Sequence, residues 1–274
     1  MRKLGIIAGN GVLPRGLIAA CRAEGRPFFV VGLKGHASPD LLDGGIAGTF
    51  VRVGSVGRAI RLLKKAKVQD LVFIGGVRRP SITEIVPDIG GALLLTRLGF
   101  RMLGDDSLLR SIVAEVERHG FRVVGIDSIM PELLVQAGVY GSTAPSKADR
   151  SDIQQGFRVA KLLGQADVGQ AVIVQRGLVL SLEGIEGTAE MIRRTGPLKR
   201  KGGGGVLVKV SKPQQDRRMD LPTIGPATVE AVFESGLKGI AVEAGGALLV
   251  EADKTIALAN KLKIFIVGIK GENT

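Results

Sequence analysis

Short apolar runs alternate with amphipathic helical segments along the first half of this chain, and this alternation limits the possible folds more than any other feature. Runs typical of buried strands occur at residues 4–8, 28–33, 71–75 and 121–126. Helical patterns occur at residues 15–24, 58–65 and 107–119. Because parallel strands need a crossover between them, usually a helix, the alternation favours parallel pairing. We therefore expect an α/β domain with a mainly parallel, Rossmann-like sheet.

The second half of the chain has the pattern of another α/β unit. Around residues 137–151 the periodicity is lost and turn-forming residues cluster, which indicates a linker. Beyond it, helices are predicted near residues 152–163, 189–194, 227–235 and 253–261. Strands are predicted at residues 171–175, 179–182, 206–210, 239–242 and 264–267. We expect two domains, an N-terminal one over residues 1–136 and a C-terminal one over 152–274 with a mixed sheet and helices.

The composition limits the class of protein. With 274 residues, 45% of them hydrophobic, the chain can bury a large core and is not a disordered protein. No segment approaches the roughly 20 apolar residues of a membrane-spanning helix. The single cysteine, Cys21, is predicted to be a small core residue, and its isolation fits a reducing compartment. We expect a cytoplasmic protein.

The charge of the chain suggests what it binds. A formal net charge of +12 favours an anionic partner, although lysines and arginines on solvated helices would give the same total. Aromatic residues make up only 4% of the chain and tryptophan is absent, which counts against a platform for stacked bases. An anionic small molecule therefore fits the composition better than single-stranded nucleic acid.

Glycine-rich loops follow the strands of the first half. Such loops bring backbone N–H groups close to phosphates at the carboxyl ends of parallel strands. The third glycine of the dinucleotide-binding pattern is missing after the first strand, so the loop indicates a ligand site without specifying a dinucleotide. The residues of these loops that we expect to contact substrate are Gly9, Asn10, Gly11, Gly75, Gly76, Arg78 and Asp127.

A long polar loop in the second half concentrates charge between proline residues. Carboxylates there can hold Mg²⁺ together with substrate phosphates, while lysine and arginine neutralise charge developing at phosphorus. We expect Asp216 and Asp220 to be catalytic and to bind the metal. The expected substrate contacts in and beside this loop are Lys209, Lys212, Gln215, Arg217 and Thr223. The alternative is an intramolecular network of ion pairs.

A second polar stretch, residues 183–190, follows the strand predicted at 179–182. Thr188 fits the N-cap of the next helix and is a candidate substrate contact. Glu186 is a candidate third metal ligand, and the alternative is an ion pair with a nearby lysine.

The sequence resembles a family of UDP-2,3-diacylglucosamine pyrophosphatases of lipid A synthesis. This is the two-domain family, distinct in fold from the calcineurin-like phosphoesterases that catalyse the same step. The resemblance extends over essentially the whole chain. It rests on the glycine loops at 9–14 and 75–77, on residues 183–188, and most specifically on the segment from Lys212 to Gly225.

The resemblance implies an activity and a cofactor. It implies Mg²⁺-dependent cleavage of the pyrophosphate to UMP and 2,3-diacylglucosamine 1-phosphate. By position, Asp220 matches the essential aspartate of the family, with Asp216 as a further metal or orienting ligand. An amphiphilic nucleotide-sugar substrate also implies peripheral contact with the inner face of the cytoplasmic membrane, and a homodimer is compatible with the sequence.

Two other functions remain as alternatives at this point. The first glycine loop would suit a nicotinamide-dependent oxidoreductase, but no acidic residue ends the second strand as a ribose ligand would. The positive charge would suit a nucleic-acid-binding protein, but no motif of that kind is present. We expect no nucleic-acid partner.

Overall fold

A computed structural model describes residues 1–77, 88, 90–91, 105–202 and 204–271. Arg78, one of the expected substrate contacts, lies outside these residues. The chain divides into two compact units. The first unit comprises Met1–Pro131 and the short segment Asp216–Asp220, and the second comprises Glu132–Gln215 and Leu221–Thr274.

The first unit is built on a parallel sheet. Its strands are β1 (Leu4–Ala8), β2 (Phe28–Leu33), β3 (Gly48–Val51), β4 (Asp70–Ile74) and β5 (Arg122–Val123). The strand order is β3-β2-β1-β4-β5, and every pair is parallel. This is the order of the first five strands in a doubly wound sheet, where ligands bind beyond the carboxyl ends on either side of the order reversal. The loops after β1 and β4 flank that reversal.

Helices cover the sheet of the first unit. They are α1 (Leu13–Ala23), α2 (Val56–Lys65) and α3 (Asp105–Arg118). On one face, Leu63 of α2 and Val116 of α3 pack with Leu71 of β4 in a buried cluster. Cys21 is buried on the inner side of α1, and this burial raises the pKa of its thiol. The prediction that it is a core residue is confirmed.

The second unit contains a six-stranded mixed sheet and a separate pair of short strands. Its strands are β6 (Gly138–Tyr140), β7 (Ala171–Gln175), β8 (Leu178–Leu182), β9 (Val206–Lys209), β10 (Thr223–Ile224), β11 (Gly239–Glu243), β12 (Leu248–Leu249) and β13 (Phe265–Ile269). The larger sheet has the order β6-β13-β11-β9-β7-β8, and β10 pairs with β12. Strands β9, β11 and β13 are parallel, whereas β6, β7 and β8 join by antiparallel pairing.

Helices lie on both faces of the larger sheet. They are α4 (Lys147–Gln165), α5 (Gly187–Thr195), α6 (Pro226–Glu234) and α7 (Ala252–Leu262). One core cluster contains Ile153 of α4, and the other contains Met191 of α5 and Val229 of α6. Side chains of β7 and β9 alternate between the two clusters, as expected for strands buried on both faces.

The structure differs from the sequence-based expectation around residues 137–151. This segment contains β6, which pairs with β13, and α4 already begins at Lys147. The side chain of Ser146 caps α4 and forms a capping box with Asp149. The glycines and serines that suggested a linker therefore belong to an edge strand and to a helix cap.

Candidate functional site

The glycine loops after β1 and β4 are bonded directly to each other. The backbone N–H of Asn10 donates to the carbonyl of Gly76 at 2.8 Å, and the N–H of Gly76 donates back to the carbonyl of Asn10 at 3.2 Å. A Cβ on Gly9 would overlap the backbone of Gly76, and a Cβ on Gly75 would overlap the carbonyl of Asn10. Only glycine allows this close approach. The structure thus brings together Gly9, Asn10, Gly75 and Gly76 at the carboxyl edge of the sheet.

Gly11 follows in the same loop, with a φ of +91° and no atom within 4 Å of a hypothetical Cβ. The helix that begins at Leu13 comes immediately after it. The first N–H groups of a helix lack intrahelical partners and attract anions. The open space beside Gly11 therefore adjoins the first turn of α1, in which Pro14 contributes no N–H.

The segment Asp216–Asp220 belongs to this same unit, although it lies far along the chain from the glycine loops. Arg217 reaches Asp127 of the loop after β5, with 3.3 Å between Nη2 and Oδ2. Gly125 lies in that loop too, and a Cβ there would come 3.4 Å from the backbone of Arg217 and Arg218. The sequence predicted both Asp127 and Arg217 as substrate contacts, and the structure shows them as partners.

Asp216 is held almost entirely by Arg218. Its carboxylate accepts from Nε at 2.9 Å, from Nη2 at 2.7 Å and from the main-chain N–H of Arg218 at 3.0 Å. These hydrogen bonds lower the pKa of Asp216 and raise the pKa of Arg218. Arg218 also donates through Nη1 to Glu117 of α3 at 2.8 Å. Asp216 therefore belongs to an intramolecular network of ion pairs, which is the alternative that the sequence left open.

The rest of the segment forms a turn. The N–H groups of Met219 and Asp220 both point to the carbonyl of Asp216, at 2.9 and 3.4 Å. Met219 packs against the buried cluster of the first unit. Asp220 is exposed. The Asp216–Arg218 pair and Met219 therefore hold the turn, and the turn presents Asp220 to solvent.

In the second unit, the other residues of the polar loop form two groups. Lys209, at the carboxyl end of β9, is buried and donates through Nζ to the carbonyl of Thr223 at 3.3 Å. Lys212 forms an ion pair with Asp167 at 2.6 Å, and its main-chain N–H donates to the buried Gln215. Lys212 is thus engaged by a carboxylate that the sequence did not suggest.

The sequence missed a polar cluster beside these lysines. Lys161 of α4 lies 2.8 Å from both carboxylate oxygens of Glu243, at the end of β11, and Ser211 donates to the same carboxylate through its N–H and its hydroxyl. Burial alone would raise the pKa of Glu243, but these hydrogen bonds outweigh it and the pKa is lowered. The three residues are remote in sequence, so no local pattern could have revealed them.

Residues 183–190 differ from the sequence-based interpretation. The N-cap of α5 is Glu186, not Thr188, because the helix already begins at Gly187. The hydroxyl of Thr188 instead donates to the buried Glu183. Glu186 pairs with Arg194 at 2.7 Å, and a hydrogen bond from its own backbone and those from Arg194 lower its pKa. The partner of Glu186 is an arginine, where the sequence suggested a metal or a lysine.

Within the described part of the chain, no group of three or more histidine, cysteine, aspartate or glutamate side chains is arranged to hold a metal ion. The same residues contain no helix that is both long enough and apolar enough to cross a membrane.

Comparison with known proteins shows full-length similarity to one family. Residues 3–133 match the LpxI N-terminal domain, and residues 136–267 match the LpxI C-terminal domain. A protein of Caulobacter vibrioides named UDP-2,3-diacylglucosamine pyrophosphatase LpxI is 38% identical over 276 aligned positions, covering 98% of each chain. A solved structure of CobK precorrin-6A reductase aligns over 100% of this chain and 91% of its own, with 8% identity and a TM-score of 0.34. That last similarity is too low to support an inference.

Proposed function

The chain belongs to the LpxI family, and from this membership we propose that it hydrolyses the pyrophosphate bond of UDP-2,3-diacylglucosamine. The products are UMP and 2,3-diacylglucosamine 1-phosphate, an intermediate of lipid A biosynthesis. The observation that carries the proposal is the similarity, over nearly the whole length of both chains, to a relative named for this activity. The alternatives of an oxidoreductase and a nucleic-acid-binding protein have no comparable support.

The geometry of the first unit suits a diphosphate substrate. The bonded glycine loops hold the beginning of α1 at the carboxyl edge of a parallel sheet, and the first N–H groups of a helix attract phosphate. Arg217 adds a guanidinium that is 50% exposed to solvent and pairs with Asp127 at 3.3 Å, and in the proposal it also contacts a phosphate of the substrate. In the proposal, these groups bind and orient the phosphates. Backbone donors of this kind keep their direction as negative charge develops.

Magnesium is the proposed cofactor, and the segment Asp216–Asp220 provides carboxylate groups of the kind that bind it. Mg²⁺ typically takes one or two protein carboxylates and completes its shell with water and substrate phosphates. Asp220 is an exposed carboxylate of the required type. The carboxylate of Asp216 accepts hydrogen bonds from Arg218 at both of its oxygens. We assign Asp220 to the metal and Asp216 to positioning Asp220. When bound, Mg²⁺ would neutralise phosphate charge and lower the pKa of a bound water.

Other residues that the sequence predicts to contact substrate lie in the second unit. Lys209 has its ammonium close to the backbone of Thr223, where a phosphate oxygen could replace the carbonyl as partner. Lys212 is bonded both to Gln215 and to Asp167, which suits a supporting role for these residues better than direct contact. Thr188 is bonded to Glu183 and Glu186 is paired with Arg194, so the proposal includes neither Thr188 as a substrate contact nor Glu186 as a metal ligand.

One assay tests the proposed function. Purified protein is incubated with detergent-dissolved UDP-2,3-diacylglucosamine and Mg²⁺, and the release of UMP is followed, with EDTA as the control. We expect UMP release that depends on the metal. A protein that is folded, as judged by circular dichroism, but releases no UMP under these conditions would overturn the proposal.

A further inference from the structure

Positively charged residues gather at one edge of the six-stranded sheet, on the segments that adjoin its central strands. Residues 199–205, directly before β9, consist of three cationic residues followed by four glycines. One more cation follows β7, in the turn to β8, and one precedes β11. We call these five residues the amino-edge cluster: Arg176, Lys199, Arg200, Lys201 and Lys238.

Strand pairing brings the three segments of the cluster to the same edge. Val206, the first residue of β9, lies opposite Val174 of β7 and Gly239 of β11. Because β9 and β11 are parallel, both begin at this edge, whereas the antiparallel β7 ends there. Neighbouring strands lie about 4.8 Å apart, so these three strands extend over about 10 Å. The five cationic residues therefore belong to segments that meet within a short distance.

The side chain of Gln175, the last residue of β7, holds Arg200 beside the turn after that strand. Its amide oxygen accepts from the N–H of Arg200 at 2.8 Å, and its amide nitrogen donates to the carbonyl of Arg200 at 3.2 Å. In the same turn, the guanidinium of Arg176 lies so close to Gly202 that a Cβ on that glycine would overlap it. These contacts join the turn after β7 to the segment before β9.

Lys238 and Lys199 lie against glycines in the same way. A Cβ on Gly204 would lie 3.2 Å from Cε and 3.5 Å from Nζ of Lys238. A Cβ on Gly236 would overlap Nζ of Lys199. The N–H of Lys238 also donates to the carbonyl of Gly205 at 2.9 Å. The ammonium groups of both lysines are thus kept at the amino edge.

The charge of the cluster exceeds that of the carboxylates around it. Among the residues that the structure describes, no carboxylate forms an ion pair with any of the five side chains. Two carboxylates adjoin the cluster. Asp152 accepts the N–H groups of Arg176 and Gly177 at 2.8 and 2.7 Å, and Glu234 precedes Gly236 by two residues. Five cations and these two carboxylates leave a net charge of +3.

Arginines at comparable places in the molecule are paired. At the amino edge of the sheet in the first unit, the buried Asp70 bonds to three of them, Arg2, Arg26 and Arg122. Both arginines of α5 form ion pairs with glutamates nearby in the chain. The amino-edge cluster differs from these arrangements, because its charge is available to an anion from outside the protein.

From these observations we infer that the amino-edge cluster binds an oligophosphate, a chain of two or three linked phosphates that is either free or part of a nucleotide. Such a chain carries several negative charges on adjacent groups, which matches several cations gathered within about 10 Å. Arginine binds phosphate oxygens through paired N–H groups, and lysine acts as a point charge. The inference does not depend on the proposed function.

The cluster lies at the opposite edge of the sheet from the proposed substrate contacts of the second unit. β9 leads from the cluster to Lys209 at its carboxyl end, and a strand of four residues spans roughly 13 Å. An oligophosphate at the amino edge therefore leaves Lys209 and Thr223 accessible to a substrate. The cluster is a second anion site, separate from the first.

Isothermal titration calorimetry of the full-length protein with tripolyphosphate tests the inference. The buffer contains EDTA and no divalent ions, so that the proposed magnesium site takes no part. We expect a Kd below about 1 mM that increases as salt is raised. Arg176→Gln combined with Lys238→Gln should raise the Kd by about tenfold or more, and Lys201→Gln alone by about threefold. Absence of binding by the wild-type protein would overturn the inference.

A matched control lies on α2 of the first unit. Lys64 and Lys65 are exposed neighbours there, and Lys64→Gln combined with Lys65→Gln removes the same charge without touching the cluster. This double variant should keep the wild-type Kd within about twofold. Circular dichroism verifies that each variant is folded. If both double variants weaken binding equally, net charge alone attracts the anion and the inference is wrong.

Other ligands and one further variant complete the test. Inorganic phosphate should bind at least about tenfold more weakly than tripolyphosphate, since it contacts fewer cations; equal affinities would refute the oligophosphate assignment. Tighter binding of ATP than of tripolyphosphate assigns the site to a nucleotide, and equal or weaker binding assigns it to the phosphate chain alone. If Arg217→Gln abolishes tripolyphosphate binding and the Arg176–Lys238 double variant does not, the anion binds in the first unit and the inference is wrong. Binding of DNA or anionic vesicles without binding of tripolyphosphate would overturn it as well.

Discussion

Replacement of Asp216 by asparagine tests whether this carboxylate holds the turn in position or takes a direct part in the reaction. Asp216 accepts three hydrogen bonds from Arg218, at 2.7, 2.9 and 3.0 Å. An asparagine has nearly the same shape but carries no charge and only one acceptor oxygen. Hydrogen bonds to charged groups contribute about 1.5–3 kcal/mol. Because Arg218 is 42% exposed, solvent screening brings the expected loss down to about 1–2 kcal/mol.

The loss should appear in catalysis as a moderate effect. If Asp216 acts by positioning Asp220, a loss of this size lowers kcat/KM by about 5- to 30-fold. Asp220→Asn removes a proposed metal ligand and should lower kcat/KM by about 1,000-fold or more. Initial rates of UMP release at saturating Mg²⁺ measure both variants, and urea unfolding verifies that each is folded.

A double-mutant cycle tests the positioning role directly. Arg218→Gln breaks the same ion pair from the other side, so adding it to Asp216→Asn should cost little more than either change alone. Two results would refute the reasoning. One is a loss in Asp216→Asn as large as that in Asp220→Asn, and the other is full additivity of Asp216→Asn with Arg218→Gln.

Three further predictions concern other parts of the molecule. Gly9→Ala should destabilise the protein by about 1–3 kcal/mol and reduce turnover, because its Cβ would overlap the backbone of Gly76. The control is Gly16→Ala, at an uncrowded position of α1, which should stabilise the protein by about 0.5–1 kcal/mol in urea unfolding. Equal losses of stability in the two variants would contradict the explanation. The pKa of Glu243 is lowered in the folded protein, so its pairing with Lys161 stabilises the protein at pH values above 4.5, the ordinary pKa of a glutamate. This stabilisation is lost as the pH falls through the lower pKa of the folded state. Glu243→Gln should therefore flatten the acid limb of a pH–stability curve, and an unchanged limb would show that other groups control it. Removal of divalent ions should abolish UMP release, and Mg²⁺ should restore it; full activity in EDTA would exclude the metal assignment.

The sequence determined most of the elements because each carries its own local pattern. The runs at 4–8, 28–33 and 171–175 are strands with those bounds in the structure. Helix periodicity located all of α1, α2 and α4 to α7, with errors of a few residues at their ends. The strands that it missed, β3, β6, β10 and β12, have two to four residues and lie at sheet edges or in the separate pair. Such short strands form through tertiary pairing, which leaves little periodicity to detect.

The sequence also located the glycine loops, because a strand followed by glycines at the start of a helix is a local signal. It likewise indicated the charged segment around Asp216 and Asp220 as a candidate site. The sequence did not show which charged side chains of this segment form ion pairs, because ion pairing depends on which groups lie close together in the folded chain.

Only the tertiary structure decided three properties of the candidate site. It grouped Asp216–Asp220 with the N-terminal half of the chain, it bonded Asp216 to Arg218, and it exposed Asp220 on the resulting turn. It also assembled Lys161, Ser211 and Glu243 from three distant segments. The physical reason is the same in each case. Local propensity and periodicity act over a few neighbouring residues, whereas hydrogen bonds and ion pairs form between whichever groups the packed core brings within about 3 Å of each other.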